Sequence, residues 1–189
     1  MAYNGAPTID GVLEDSWTLD RVISKKAAGS SSASGVFGLM SDKNYLYIGI
    51  KVFDSIVDDP MLAAATNYLA DSVEFFVDPE CDRKTRYADG DQQLRLGLSG
   101  LAYSATKATA LSNIKTASSR FDGGYIIEAA VPWDAINLTY GHGKKFGFEI
   151  AINDSSDKGV SRDGVVSWCG DGRSYTDTSK FGTAYIGSK

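Results

Sequence analysis

The sequence is short of the residues that build metal and redox centres. It has two cysteines, one histidine and three methionines among 189 residues, and the spacing of Cys81 and Cys169 matches no zinc pattern. These cysteines either form one disulfide, as in an exported protein, or are two small buried residues. A haem site would need His142 with a methionine such as Met40 or Met61, and the glycine-flanked surface turn around His142 disfavours it.

Long apolar runs and a surplus of basic residues are also missing. No run reaches the roughly 18 apolar residues of a membrane helix, and the opening residues lack the apolar core of a signal peptide. The sequence is also compatible with a secretion signal that was removed before Met1. The net charge of −5 and the pI near 4.8 disfavour nucleic acid and anionic membranes as partners. A neutral ligand, or a cation such as calcium, fits this charge better.

The remaining composition is that of an ordinary globular protein. Hydrophobic residues make up 43% of the chain, charged residues 23%, and there are 20 glycines. Glycine at this level is typical of turn-rich β structure. Residues 1–189 are predicted to form a single domain with its own core.

Alternating apolar and polar residues predict most of the secondary structure. The clearest case is Tyr45 to Asp54, where every second residue is apolar. Similar patterns cover Gln92 to Ser99 and Phe146 to Asn153, and Tyr125 to Val131 is predicted as a further strand after the turn signal at Gly123 and Gly124. About ten short strands with short helical turns predict an all-β fold, an antiparallel β-sandwich of jelly-roll or immunoglobulin-like type.

Three other stretches are expected to lie outside the strands or to be only briefly regular. Residues 27–34 are small and polar, which predicts a loop. Thr8 and Ile9 are expected in a short extended piece, and Leu13 and Trp17 at i, i+4 spacing predict a helical turn with Trp17 as a core anchor. Pro60 to Leu69 is predicted to be a helical turn within a loop that delivers Tyr68.

One strand, Asp71 to Asp78, has a carboxylate in its middle. Successive strand side chains point to opposite faces, so Glu74 lies on the face opposite the apolar residues Val73 and Phe75. Gln93 and Arg95 share a polar face in the same way on the strand from Gln92 to Ser99. A pyranose presents an apolar C–H face and a rim of hydroxyls, so rings stack on it while carboxylate and guanidinium groups bond its rim.

Two other roles for these charges are compatible with the sequence. Glu74 and Arg95 can be a plain cross-sheet ion pair, or can orient each other beside a ligand. A glycosidase needs two carboxylates about 5–10 Å apart across the substrate. Glu149 shares its strand's polar face, but nothing in the sequence marks it or Glu74 as a raised-pKa acid. The sequence therefore predicts binding without catalysis.

Several ordered segments together resemble the family 9 carbohydrate-binding modules, noncatalytic sandwiches attached to secreted xylanases. The resemblance covers essentially the whole chain, and the ordered set is more specific than any one segment. The segments are Ala6–Gly11 (APTIDG) leading to Trp17, Tyr45–Tyr47 (YLY) ending in Asp54, Asp71–Glu74 (DSVE), Gly123–Ala130 (GGYIIEAA), Asn153–Asp154 (ND) and Ser179–Gly182 (SKFG).

This resemblance implies a site that holds the reducing-end sugar of a plant polysaccharide between two aromatic rings. Tyr68 and Tyr175 stand where the family has two tryptophans, and Glu74 and Arg95 fall on its polar ligands. The family's structural metal ions suggest calcium near the acidic loops, with Asp54 and Asp71 as candidate ligands. The predicted sugar-binding set is Tyr68, Glu74, Gln93, Arg95, Asn153 and Tyr175.

The chain also departs from the family pattern. Gly97 and Ala151 replace amide side chains that bond the sugar, so the site is expected to be weaker, to accept another sugar or to leave room for a substituent. The expected partners are an oligo- or polysaccharide and an attached catalytic domain in a secreted enzyme. The alternative is a structural or protein-interaction sandwich of the same fold with a degenerate sugar site.

Overall fold

The computed structural model describes residues 2–4 and 6–187 and has two β-sheets packed face to face. Sheet A has six strands: β1 (Ala2–Asn4), β2 (Arg21–Ile23), β4 (Ser34–Ser41), β5 (Tyr45–Phe53), β10 (Lys115–Phe121) and β11 (Gly124–Pro132). Sheet B has eight: β3 (Lys25–Gly29), β6 (Ser72–Asp78), β7 (Gln92–Gly97), β8 (Ala102–Ser104), β9 (Thr109–Ala110), β12 (Lys145–Asp154), β13 (Gly164–Ser167) and β14 (Gly182–Tyr185).

The strand order confirms the predicted all-β sandwich. Sheet A runs β1-β4-β5-β11-β10 with β2 also on β4, and sheet B runs β3-β13-β12-β6-β7-β8-β9 with β14 also on β12. The pairings are antiparallel except that β1 runs parallel to β4. There are two short 3₁₀ helices among the described residues, Ala64–Leu69, which lies within the helical turn predicted for Pro60 to Leu69, and Trp133–Ile136.

The core lies between the sheets and is built from the alternating apolar positions of the strands. Leu46, Ile48 and Ile50 of β5 face it from sheet A, and Val73 and Phe75 of β6 face it from sheet B. All five are at most 1% exposed. The remaining residues of these strands therefore lie on the two outer faces of the sandwich.

Several local predictions were wrong. Residues 27–29 belong to β3, which pairs with β13, because backbone pairing and not the apolar pattern defines this exposed strand. Leu13 to Trp17 forms a turn without a helix. Cys81 and Cys169 are unbonded and partly exposed, so neither the disulfide nor full burial is found.

Trp17 is buried, as expected of an anchor, but it packs on the outer face of sheet A. Its ring lies over Gly49, where an added Cβ would come within 2.9 Å of the indole. Its Nε1 donates to Oε1 of Glu128 at 3.0 Å, and the backbone N–H of Gly11 donates to Oε2 at 2.8 Å. Glu128 thus holds the segment before β2 against sheet A.

Candidate functional site

One row of residues crosses five strands on the outer face of sheet B. Strand register places Ser167 opposite Ala151, Ala151 opposite Glu74, Glu74 opposite Arg95, and Arg95 opposite Tyr103. Directly opposed residues in a sheet project to the same side. This row forms the floor on which the candidate site is built.

A cleft of about 390 Å³ lies over this row, within the size range of ligand pockets, about 300–1,000 Å³. The structure brings together five of the six residues predicted to bind sugar, and Asn153 lies outside the lining. The cleft is lined by Tyr68, Glu74, Gln93, Arg95, Ala105, Arg162 and Tyr175.

Glu74 is held in one orientation by its neighbours. Its Oε2 accepts a hydrogen bond from Nε2 of Gln93 at 2.9 Å, and its Oε1 accepts one from Nδ2 of Asn153 at 3.1 Å. Nη1 of Arg162 lies 3.8 Å from Oε1. A carboxylate fixed in this way is a directed acceptor for a ligand hydroxyl.

Asn153 is fully buried and acts beneath the cleft. It also donates to Oγ of Ser72 at 3.0 Å, and its Oδ1 accepts from Nη1 of Arg162 at 2.8 Å. Asn153 therefore positions both Glu74 and Arg162. Sequence reasoning missed Arg162 because it lies in the irregular connection between β12 and β13, where no alternation marks its direction.

Arg95 is held by two tyrosine rings and a backbone carbonyl. Among the described residues, Glu74 forms its ion pair with Arg162 and not with Arg95. The Arg95 guanidinium carbon lies 4.8 Å from the ring centroids of both Tyr68 and Tyr103, at cation–π distance. Its Nη1 donates to the Ala65 carbonyl at 3.2 Å, and its buried Nε has no partner. The expectation that Arg95 and Glu74 orient each other is wrong, because Arg95 reaches toward the 3₁₀ helix.

The two tyrosines differ in how firmly they are held. Tyr68 is partly buried in the 3₁₀ helix Ala64–Leu69 and packs on Arg95. Tyr175 is 57% exposed in the loop between β13 and β14, which is tied down where the Tyr87 hydroxyl donates to the Ser174 carbonyl at 2.8 Å. Both rings border the cleft, one fixed and one at its open rim.

The two departures at positions 97 and 151 have different structural outcomes. The space beside Gly97 is taken by Asn67, whose Nδ2 would lie 3.3 Å from an added Cβ. Ala151 instead lines a small side pocket next to Glu74 and Arg162. The expected room for a substituent is therefore found beside Ala151 and not beside Gly97.

Glu149 does not face the cleft. It is fully buried and accepts backbone N–H bonds from Trp168 at 2.9 Å, Cys169 at 2.9 Å and Gly170 at 2.6 Å. Burial raises its pKa to about 7, while these bonds act to lower it. Glu74 is the one carboxylate among the described residues that line the cleft, so the paired arrangement of a glycosidase is missing there.

Three aspartates meet at the strand ends next to this site. Carboxylate oxygens of Asp54, Asp71 and Asp154 lie within 4.8 Å of one another, and all three residues are buried. Burial raises the pKa of Asp71 to about 8 and also raises that of Asp54. Oδ2 of Asp54 is buried without a hydrogen-bond partner. Asp54 and Asp71 were predicted, and Asp154 was missed.

Comparison with known proteins identifies the family of this chain. A family model described as carbohydrate family 9 binding domain-like matches residues 9–188. The chain belongs to this family. It is a carbohydrate-binding domain without catalytic function.

Two curated relatives are 35% identical to the module over 191 aligned residues. They are the exoglucanase XynX of Acetivibrio thermocellus and the endo-1,4-beta-xylanase A of Thermoanaerobacterium saccharolyticum. The matches cover 100% of this chain but only 17% and 16% of those proteins. The chain thus corresponds to a small part of much longer enzymes.

A solved structure of a family 9 module from Caldicellulosiruptor kristjanssonii in complex with cellotriose superposes with a TM-score of 0.83 at 25% identity. It covers 100% of this chain and 93% of that one, and a second structure of that module contains glucose, with a TM-score of 0.82. Separately, no helix among residues 2–4 and 6–187 is long and apolar enough to cross a bilayer.

Proposed function

We propose that this module holds the reducing-end sugar of a plant cell wall glycan, of the cellulose or xylan type, between Tyr68 and Tyr175. The observation that supports this most directly is the cleft of about 390 Å³, whose lining includes both rings together with Glu74, Gln93 and Arg95. Rings suit the apolar face of a pyranose, and oriented polar groups suit its hydroxyls.

The polar groups on the floor are already arranged for a ligand. Glu74 is fixed by Gln93 and Asn153, and Arg95 is fixed between Tyr68 and Tyr103. Preorganised groups lose little conformational freedom on binding, so more of their interaction energy contributes to affinity. This argues against the alternative of a structural or protein-interaction sandwich with a degenerate sugar site.

The expected role is to target an attached catalytic domain to its substrate. The two relatives are an exoglucanase and an endo-1,4-beta-xylanase, and the region that matches this chain is a small part of each. Tethering raises the local concentration of substrate near a catalytic domain. We therefore propose that residues 1–189 act as one module of a secreted glycoside hydrolase.

We further propose that calcium binds Asp54, Asp71 and Asp154. All three offer hard oxygen ligands, as calcium prefers, and Oδ2 of Asp54 is a buried acceptor with no partner. A cavity of about 500 Å³ that Asp54 and Asp154 line gives an ion access. Calcium would offset two of the three negative charges and hold together the ends of β6 and β12, the strands that contain Glu74 and Asn153.

The decisive experiment is isothermal titration calorimetry with calcium present. The ligands are glucose, cellobiose, xylobiose and their borohydride-reduced alditols. End recognition predicts binding to intact sugars and loss of binding after reduction. Binding to none of these sugars would favour the interaction-module alternative, and equal binding to reduced and intact sugars would contradict recognition of the reducing end.

Tyr68→Ala tests the role of the ring. We expect at least a tenfold loss of affinity, since the substitution removes one stacking surface and one wall of the Arg95 contact. Tyr185→Ala is the control, because it removes a tyrosine ring that is 40% exposed and lies on β14 outside the cleft. Equal affinity in both variants would contradict the proposed sandwich.

A further inference from the structure

A side pocket opens from the cleft beside Glu74. It has a volume of about 40 Å³ and shares Glu74, Arg162 and Tyr175 with the cleft, so the two spaces are neighbours. One water molecule needs roughly 10–15 Å³, whereas pockets for whole ligands span about 300–1,000 Å³. The side pocket therefore admits one small substituent of a bound sugar and no second ring.

The walls of the side pocket are mainly apolar. Phe76, Ala151 and Val165 line it and belong to one buried hydrophobic cluster. Ala151 lies in the floor row directly between Glu74 and Ser167. A longer side chain at position 151 would project into this space, so the pocket exists because residue 151 ends at its methyl group.

Ser167 provides one unused polar group at this pocket. The residue is 1% exposed, and its Oγ is buried without a hydrogen-bond partner. Other polar groups along the wall are already engaged: Glu74 accepts from Gln93 and Asn153, and Ser174 donates to the Asp171 carbonyl at 3.0 Å. Buried hydroxyls without a partner are uncommon in folded proteins, so Ser167 points to a ligand that completes its bonding.

The charges around the pocket favour a neutral substituent. Two carboxylates, Glu74 and Asp171, and one guanidinium, Arg162, line it. Glu74 lies 3.8 Å from Arg162, and Asp171 is paired with Lys180 and Arg173, so these charges are already paired with one another and none is left for a charged substituent. A group with an apolar carbon and a terminal hydroxyl matches both the walls and Ser167.

We propose that the side pocket binds the exocyclic hydroxymethyl group of a hexose, with its CH₂ against Ala151 and Phe76 and its hydroxyl bonded to Oγ of Ser167. This inference rests on the proposed sugar-binding function. A pentose such as xylose lacks the hydroxymethyl group and leaves both the pocket and Ser167 unfilled. The module is therefore selective for glucose-type over xylose-type chain ends.

The unmodified module tests this with three ligands measured by calorimetry: glucose, 6-deoxyglucose and xylose. We expect 6-deoxyglucose to bind about fivefold more weakly than glucose, the loss of one net hydrogen bond, and xylose to bind more weakly still. Equal affinity for all three would overturn the side-pocket inference and leave the sugar site standing. Binding of none would overturn the proposed function itself.

Two variants sharpen the result. Ser167→Ala should make glucose and 6-deoxyglucose bind equally, and Ala151→Val, which fills the pocket, should lower the ratio of glucose affinity to xylose affinity toward one. Ser41→Ala is the matched control, since Ser41 is also 1% exposed with an unpaired hydroxyl but lies in sheet A. An unchanged ratio of glucose to 6-deoxyglucose in Ser167→Ala would overturn the inference.

Discussion

Each sheet has a glutamate on its outer face, and the chain treats the two in opposite ways. Glu128 on sheet A is covered by the protein itself, through N–H bonds from Gly11 and Trp17. Glu74 on sheet B is bonded only by side chains of the site and faces the cleft. The outer face is closed by the chain itself around Glu128 and is left open to a ligand around Glu74.

The two glutamates also share a small residue directly opposite them on the neighbouring strand. Gly49 lies opposite Glu128, and Ala151 lies opposite Glu74. Over Gly49 the chain places the Trp17 ring, whereas beside Ala151 it leaves the side pocket. Around Glu128 the Trp17 ring of the protein itself fills the space beside the small residue and stabilises the fold. Around Glu74 the corresponding space is unfilled and is available to a ligand.

The largest expected effect comes from uncovering the closed face. Trp17→Ala removes the ring over Gly49 and the donor to Glu128, so we expect the free energy of unfolding to fall by about 3–5 kcal/mol. Urea denaturation measures this loss. Glucose affinity of the folded variant should be unchanged, and a comparable loss of affinity would show that the two faces are not independent.

The next effect is the pH dependence of stability that arises from Glu149. This third outer-face glutamate has its carboxylate covered by backbone N–H groups. Its folded-state pKa of about 7 exceeds the ordinary value of 4.5, so the folded protein binds the extra proton. The stability that this provides is complete below about pH 4.5 and is lost as pH rises through 7, by roughly 3 kcal/mol.

Urea denaturation across this pH window, with wild type and Glu149→Gln, measures the contribution of Glu149. The variant is expected to be less stable at each pH, because an amide cannot accept all of these N–H bonds, but its stability should fall less steeply with pH. Parallel pH profiles of the two proteins would contradict the assignment to Glu149.

Calcium should act on the open face more than on the closed one. Asp71 and Asp154 directly adjoin Ser72 and Asn153 of the site, so EDTA should lower sugar affinity as well as stability. At a calcium concentration about 100 times the Kd, binding adds about 2.7 kcal/mol, or roughly 5–10 °C in Tm. Differential scanning fluorimetry measures the shift, and Asp54→Asn should reduce it strongly. A full shift in Asp54→Asn would rule out this ligand set.

The smallest effect comes from enlarging the exposed ring of the open face. Tyr175→Trp offers a larger stacking surface, so affinity for cellobiose should rise about twofold, or about 0.5 kcal/mol. Stability should not change, because Tyr175 lies at the rim. Calorimetry on both proteins checks this, and a weaker interaction would mean that the loop sets the ring position more tightly than its exposure suggests.

The sequence predicted the sandwich because alternation reports directly which strand residues face the core. Strands such as β3 were missed, since its exposed residues have no such pattern and only pairing with β13 defines it. Glu74, Gln93 and Arg95 were found from strand alternation, and Tyr68 and Tyr175 from the family resemblance.

The parts of the site that were not predicted depend on contacts across strands and loops. The position of Arg162 is set by its hydrogen bond to Asn153, and no local sequence pattern indicates it. Asp154 joins the aspartate cluster only because the ends of β5, β6 and β12 converge. The side pocket requires Ala151, Ser167 and Glu74 in one register, which a linear sequence does not reveal.

Gly97 affects how firmly the Tyr68 ring is held in position. Because position 97 has no side chain, Asn67 fits against the strand, and its Nδ2 also donates to the Leu101 carbonyl at 3.5 Å. Tyr68 is the next residue, so the packing of Asn67 against Gly97 also restrains the position of the Tyr68 ring. The position of the ring is then set by the backbone of β7, and the ring is oriented before any sugar arrives.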